Sequence, residues 1–175
     1  IIGTEAFSNC VNLKEISIPN SIQEINYGTF NGCSSLTSIN LPDSILRIGP
    51  NAFSNCTNLV SISISNNVVS IGHSAFYNCT SLTSILIPDS VTRIDGDAFS
   101  GCTSLTSIDL PDNITEIGGY AFSNCSNLTD ISLPNNIMII PAYSFENCIS
   151  LVEIELPESV TTIGPKAFQG CIKLE

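Results

Sequence analysis

Cysteine is the residue type in this sequence whose chemistry is most open to question. The chain of 175 residues contains eight cysteines, which recur at a constant 23-residue spacing. Cysteine pairs form disulfides, cysteine clusters bind zinc, and an activated thiolate acts as a nucleophile. The choice among these roles depends on where the fold places the eight positions, which are Cys10, Cys33, Cys56, Cys79, Cys102, Cys125, Cys148 and Cys171.

The same 23-residue period governs the apolar positions. The repeat is L-x-x-I-x-[IL]-P-[DN]-[SN]-[IV]-x-x-I-G-x-x-A-F-x-[NG]-C-x-x. Ile108 and Leu110 alternate with polar residues, which predicts a strand with one buried face, and Pro111 ends that strand because it has no N–H to donate. A second short strand follows at residues 114–117. The spacing i, i+3, i+6 of Phe, Cys and Leu predicts a 3₁₀-like turn.

One such repeat is too small to be stable alone, because it has to order its whole backbone around few apolar side chains. Stacked repeats bury the remaining surface. We therefore predict a repeat solenoid that is mainly β, forming a single domain over residues 1–175 with about seven to eight repeats. Both ends keep ordinary repeat residues without polar caps. This predicts that the natural protein continues further or that its ends are covered, and that this chain associates end to end.

Stacking decides among the roles of the cysteines. Equivalent positions in neighbouring repeats have Cβ atoms about 4.8 Å apart, which is more than the 3.5–4.5 Å usual for a disulfide. The sequence has no C-x-x-C pair and only one histidine, His73, so a zinc site is disfavoured. A catalytic site uses one activated thiolate, so eight equivalent cysteines argue against a nucleophilic role. We predict that all eight cysteines are reduced and buried as small apolar side chains.

Composition excludes several classes of function. Sixteen acidic residues against five basic ones give a formal net charge of −11, which opposes binding to nucleic acid. No apolar run approaches the ~20 residues of a membrane-spanning helix, so direct membrane insertion of this segment is not expected. No nucleophile–base pair, carboxylate dyad or phosphate-binding loop is recognisable. The sequence therefore predicts a non-enzymatic protein without cofactor, metal site or catalytic residues.

The position after the second strand is rich in glycine. Because Gly, Asn and Asp share this position, we predict a left-handed backbone there. Proline cannot adopt positive φ, so the repeat containing Pro141 is expected to bend differently from its neighbours. The eight residues at this position are Gly3, Asn26, Gly49, Gly72, Asp95, Gly118, Pro141 and Gly164.

The consensus resembles the BspA-like leucine-rich-repeat family. The motif L-x-x-I-x-[IL]-P is present from Leu82 to Pro88, and Ile94 to Cys102 carries the following I-x-x-x-A-F-x-x-C. This resemblance implies a leucine-rich-repeat arc, with a parallel sheet on the concave face, short convex strands and 3₁₀-like turns. It also implies a cell-surface or secreted protein, since several members of the family are regarded as adhesins.

In such an arc, the outward positions of the first strand form columns on the concave sheet. Most are small and polar, but one is a leucine and the last repeats concentrate acidic residues. An acidic strip suits a basic partner or weak Ca²⁺ binding. We expect adhesion to a protein or glycoprotein of a host or neighbouring microbe; the alternative is a structural spacer that displays another domain. The candidate protein-binding residues are Leu86, Asp109, Asp112, Asp130, Glu153, Glu155 and Glu158.

Overall fold

The computed structural model describes residues 1–175 as a parallel β-solenoid without helices. Each repeat forms one coil with a first-strand segment, a second-strand segment and a turn segment, although three of the first-strand segments are not paired as strands. The prediction of a mainly β repeat solenoid is confirmed. No helix is present that could cross a membrane.

The second strands form the longer ladder. They pair in parallel and in register, so that Ile48 aligns with Ile25 on one side and with Ile71 on the other. Five of them form one sheet and the last two form another. In chain order they are β1 (Glu24–Ile25), β3 (Arg47–Ile48), β5 (Ser70–Ile71), β6 (Arg93–Ile94), β8 (Glu116–Ile117), β10 (Ile139–Ile140) and β11 (Thr162–Ile163).

The first strands form a shorter and interrupted ladder. They make two separate pairs, and in each strand the central isoleucine is buried while its two neighbours are exposed. Residues 15–17, 84–86 and 153–155 occupy equivalent positions without strand pairing. The four strands are β2 (Ser38–Asn40), β4 (Ser61–Ser63), β7 (Ser107–Asp109) and β9 (Asp130–Ser132).

The hydrogen bonds between neighbouring coils are most continuous in the turn segments. Within a coil, Cys102 N donates to Phe99 O at 3.1 Å and Leu105 N donates to Cys102 O at 3.1 Å, which gives the predicted 3₁₀-like pattern. Between coils, Phe99 N donates to Ala121 O at 2.8 Å. The equivalent bond recurs from Phe7 to Phe145, so this row has no gap along the solenoid.

One continuous hydrophobic core fills the interior, and a stack of phenylalanines runs through it. Neighbouring rings lie nearly parallel with centroids 5.3–5.6 Å apart, from Phe7 to Phe168. The core contains 46 buried residues that belong to the same cluster. Because each ring from Phe30 to Phe145 contacts the rings of both neighbouring coils, stability is shared between adjacent repeats.

The prediction of a left-handed backbone after the second strand is wrong. None of the residues at that position has positive φ. Left-handed residues occur instead at two other positions of each coil, for example at Asp97 and Gly101 with φ of 56° and 76°. The N–H groups of both residues donate to the next coil, to Gly119 O and Ser123 O. The left-handed turns therefore direct these N–H groups along the solenoid axis.

Close approach between coils explains the glycines after the second strand. A Cβ added to Gly118 would lie 2.5 Å from Asp95 C and 2.6 Å from Gly96 Cα, and it would also meet Gly96 N. Gly49, Gly72 and Gly164 face backbone atoms in the same way. Where another residue occupies this position, as at Asp95, the neighbouring coil has to accommodate its Cβ.

We expect Gly118→Ala to lower the free energy of unfolding by about 3 kcal/mol, because backbone atoms on the facing coil cannot move aside as a side chain can. Gly3→Ala is the matched control at the equivalent position of the first repeat, where an added Cβ meets nothing within 4 Å. Its effect should stay within about 0.5 kcal/mol. Urea denaturation followed by circular dichroism measures both. Equal stabilities for the two variants would contradict the steric explanation.

The break in the second-strand ladder lies at Pro141. In the flanking coils, Gly118 N donates to Ile94 O at 2.8 Å and Gly164 N donates to Ile140 O at 2.7 Å. Pro141 has no N–H, so the carbonyl of Ile117 lacks the corresponding bond. β8 and β10 are consequently not paired. This repeat does differ from its neighbours, but the cause is a missing donor rather than a forbidden φ.

Candidate functional site

The residues predicted to bind a partner all lie at the surface. Asp109 and Asp130 point outward because they flank the buried Ile108 and Ile131 in β7 and β9. Leu86 is 77% exposed, more than any other apolar residue outside the first and last repeats. The remaining four are also exposed: Asp112, Glu153, Glu155 and Glu158.

Three of these carboxylates meet at one groove, which we call the acidic groove. It runs between β9 and residues 153–157 and has a volume of about 590 Å³. Asp130 lies on one side, and Glu153 and Glu155 lie on the other. The structure does not bring the other four predicted residues into the groove lining, namely Leu86, Asp109, Asp112 and Glu158.

Two of the remaining carboxylates link neighbouring coils. Ser132 Oγ donates to Asp109 Oδ1 at 3.3 Å. Asp112 Oδ1 accepts from Asn135 N at 2.9 Å and from Asn135 Nδ2 at 3.1 Å. Since Asn135 lines the acidic groove, Asp112 helps to position one wall of the groove.

The floor of the acidic groove is apolar. It consists of Ile131, Leu133 and Ile154, whose side chains pack in the hydrophobic core or against it. Ile154 is only partly buried, although its equivalents Ile108 and Ile131 are buried. The space between the two chain segments therefore reaches from the charged rim down to the core.

Backbone groups along one side of the groove have no partner in the chain. No N–H or C=O group of residues 153–156 makes a hydrogen bond within the protein. The equivalent residues of the pair β7–β9 are joined by ladder bonds, and Leu110 N donates to Ser132 O at 3.2 Å. Residues 153–156 thus have the side-chain pattern of a strand and an open set of backbone donors and acceptors.

A second groove of the same size lies between residues 15–18 and β2, and we call it the neutral groove. Its volume is also about 590 Å³, and its lining also combines isoleucines with outward polar residues. Only one carboxylate, that of Glu15, contributes to it. The two grooves therefore have the same volume and differ in charge.

The carboxylates of the acidic groove have no cationic partner. All ion pairs of the chain lie elsewhere, between Arg93 and Asp95, between Arg93 and Glu116, and between His73 and Asp97. No three acidic, histidine or cysteine side chains converge closely enough to hold a metal ion. The uncompensated negative charge is thus free to attract a basic group.

The cysteines form a hydrogen-bonded ladder inside the solenoid. Cys102 Sγ donates to Phe76 O of the preceding coil at 3.2 Å. The same thiol-to-carbonyl bond is made by the seven cysteines from Cys33 to Cys171, at 3.0–3.2 Å. The spacing of these thiols predicts small apolar side chains in the core, but it does not predict their role as hydrogen-bond donors. All eight cysteines are free thiols.

Six cysteines are buried as predicted, but the prediction is wrong for Cys10 and Cys171. Cys10 is exposed and Cys171 is half-buried, because each lies in an end coil that packs against a coil on one side only. Burial raises the pKa of Cys33 to about 11 and that of Cys56 to about 12. It holds the pKa of Cys79, Cys102 and Cys125 well above the usual range of a thiol. These thiols are protonated and unreactive.

The turn segments also carry an aromatic cluster that was not predicted from the sequence. The rings of Tyr120 and Tyr143 stack with centroids 4.4 Å apart, and Lys166 Nζ lies 5.3 Å from the centroid of the Tyr143 ring. The signal was present, because these three residues are spaced by one repeat. The cluster is a small cation–π stack that joins three coils.

The repeat seen in these coils matches the repeat of a known protein family. The model of the BspA type leucine rich repeat region, in six copies, matches residues 1–106 and 46–175. The chain belongs to the BspA-type leucine-rich-repeat family. No protein of curated function matches the sequence.

Solved structures of leucine-rich-repeat proteins share this architecture. A leucine rich repeat protein from T. pallidum is 37% identical with a TM-score of 0.89, over 92% of this chain and 78% of that one. A Bacteroides ovatus protein is 34% identical with a TM-score of 0.90, over 94% of this chain, which spans 45% of that protein. A Faecalibacterium prausnitzii leucine rich cell surface protein is 24% identical with a TM-score of 0.51, over 99% of this chain and 68% of that one.

Proposed function

We propose that this leucine-rich-repeat chain is the binding module of a cell-surface or secreted protein. The first-strand face, and the acidic groove within it, contacts a protein or glycoprotein of a host or neighbouring microbe. The observation that carries this proposal is the groove itself, where Asp130, Glu153 and Glu155 surround an apolar floor without any cationic partner. A purely structural surface gains nothing from such an arrangement, because like charges placed together oppose folding.

Two observations support the surface location. The chain belongs to a bacterial leucine-rich-repeat family, and one structural relative is described as a leucine rich cell surface protein. The fold supplies a long face of exposed side chains in register, which suits adhesion to macromolecules. A surface location also gives the acidic groove access to partners outside the cell.

A structural spacer is the second candidate function. It is favoured by the small polar side chains that occupy most outward positions of the first strands, such as Ser38, Ser61 and Ser107. Such a face is well solvated and offers few anchors for a partner. The two candidates differ in whether this face binds a partner.

The deciding experiment measures binding of the chain to immobilised mucosal and extracellular-matrix glycoproteins by surface plasmon resonance. The groove variant carries Asp130→Asn, Glu153→Gln and Glu155→Gln. The matched control carries Glu5→Gln, Glu24→Gln and Asp43→Asn, which remove the same charge outside the groove. We expect binding by the unmodified chain and the control, and a loss of about tenfold or more for the groove variant. Binding to none of the surfaces would favour the spacer, and equal binding by all three proteins would show that the acidic groove is not the contact site.

A further inference from the structure

We propose that the acidic groove binds an extended peptide segment with alternating apolar and basic residues, which adds as a strand to residues 153–156. This proposal rests on the proposed binding function and specifies the partner's chemistry. It arises from three properties of the groove: the free backbone groups, the apolar floor and the uncompensated rim charge. Each property restricts a different feature of the occupant.

The free backbone groups determine the occupant's conformation. Residues 153–156 follow the repeat's strand pattern, with Ile154 directed inward and Glu153 and Glu155 exposed. Their N–H and C=O groups have no hydrogen bonds within the chain. An extended segment laid alongside satisfies such a row through main-chain hydrogen bonds, which is the general mode of strand addition to an open sheet edge.

The floor and the rim determine the occupant's side chains. In a strand, successive side chains point to opposite faces. A segment lying in the groove directs every second side chain toward Ile131, Leu133 and Ile154, where apolar groups are favoured. The alternate side chains point outward beside Asp130, Glu153 and Glu155, where lysine or arginine is favoured. The groove therefore fits an alternating apolar–basic pattern.

The neutral groove allows the contribution of charge to peptide binding to be measured separately. It has the same volume and an equivalent pair of chain segments, but Glu15 is its only carboxylate and Lys14 precedes that residue. A segment selected by shape and backbone pairing alone occupies both grooves. A segment selected by charge as well occupies the acidic groove, so the chain contains its own comparison site.

The test uses a fluorescent peptide of about eight residues in which lysine and valine alternate. A block peptide places the same lysines before the same valines, and an N-methylated peptide keeps the alternation but lacks every second backbone N–H. Fluorescence anisotropy gives the dissociation constants with the unmodified chain. We expect the alternating peptide to bind at least about tenfold more tightly than the other two, since only it satisfies floor, rim and backbone together.

Site variants locate the peptide. Replacing Asp130, Glu153 and Glu155 by their amides is expected to weaken binding about tenfold, and Glu15→Gln is expected to leave it unchanged. Circular dichroism checks that each variant is folded. Equal affinity for the N-methylated peptide would overturn strand addition, and equal affinity for the block peptide would reduce the interaction to unspecific charge attraction. An effect of Glu15→Gln equal to that of the triple variant would overturn the assignment to the acidic groove.

These outcomes separate this proposal from the proposed function. If glycoprotein binding depends on the acidic groove while no peptide binds, the binding module stands and the extended basic partner is wrong. If the peptide binds as expected while no glycoprotein of the panel does, the groove's preference stands and the partner class named above is wrong. Hydrogen exchange at the amides of residues 153–156 provides an independent measure, because strand addition slows their exchange.

Discussion

Raising the pH above about 9 is expected to unfold the chain in a steep transition, because buried thiols stay protonated in the folded state. In the unfolded chain these thiols ionise near pH 9.0. Burial raises the pKa of Cys56 to about 12 and keeps the pKa of Cys79, Cys102, Cys125 and Cys148 above its usual value, and the neighbouring thiols raise it further.

The direction of the effect follows from proton linkage. Above pH 9 the unfolded state binds fewer protons than the folded state, so the free energy of unfolding falls as the pH rises. Below pH 9 the thiols are neutral in both states and the stability is fully present. Above pH 9, each such thiol lowers the free energy of unfolding by about 1.4 kcal/mol per pH unit. Five of them give about 7 kcal/mol per pH unit, which is comparable to the whole stability of a typical domain.

Urea denaturation at a series of pH values measures this loss. We expect the free energy of unfolding to be constant from about pH 7 to 8.5 and the native state to be lost by about pH 10.5. Cys102→Ala removes one of these thiols, so its slope above pH 9 should be smaller by about 1.4 kcal/mol per pH unit. An unchanged urea midpoint between pH 8 and pH 10.5 would show that the thiols ionise within the folded solenoid.

Replacing a central phenylalanine should cause the largest loss of stability among single substitutions in the core. The ring of Phe99 is fully buried and lies 5.3 Å from the ring of Phe76 and 5.6 Å from that of Phe122. Phe99→Ala opens a cavity in the middle of the stack, and we expect the free energy of unfolding to fall by about 4 kcal/mol. Because stability is shared between neighbouring coils, the variant should also lose cooperativity.

Phe168 provides the matched control for this prediction. Its ring is only half-buried and stacks on Phe145 alone, with centroids 5.3 Å apart. Phe168→Ala should therefore cost about half as much as Phe99→Ala. Urea denaturation followed by circular dichroism gives both values, and the slope of each curve reports whether unfolding remains a single transition. Equal losses in the two variants would mean that the stack does not couple the coils.

The equivalence of positions in the repeats and the direction of their side chains were predictable from the sequence. The 23-residue period placed Phe99, Cys102 and Leu105 at equivalent inward sites, and the structure buries all three. The alternation around Ile108 correctly predicted a strand with exposed neighbours. These features are readable because burial of apolar side chains is a property of residue type and spacing.

The tertiary structure alone decided which backbone groups pair between coils. Side-chain periodicity does not specify where an N–H points, since that depends on φ and ψ at each residue. For this reason the sequence predicted the left-handed residues at the wrong position. It also did not predict the hydrogen bond that the Cys102 thiol donates to Phe76 O. The acidic groove also depends on which backbone groups pair between coils. The sequence supplied Asp130, Glu153 and Glu155, but the groove exists because the ladder bonds between β9 and residues 153–156 are not formed.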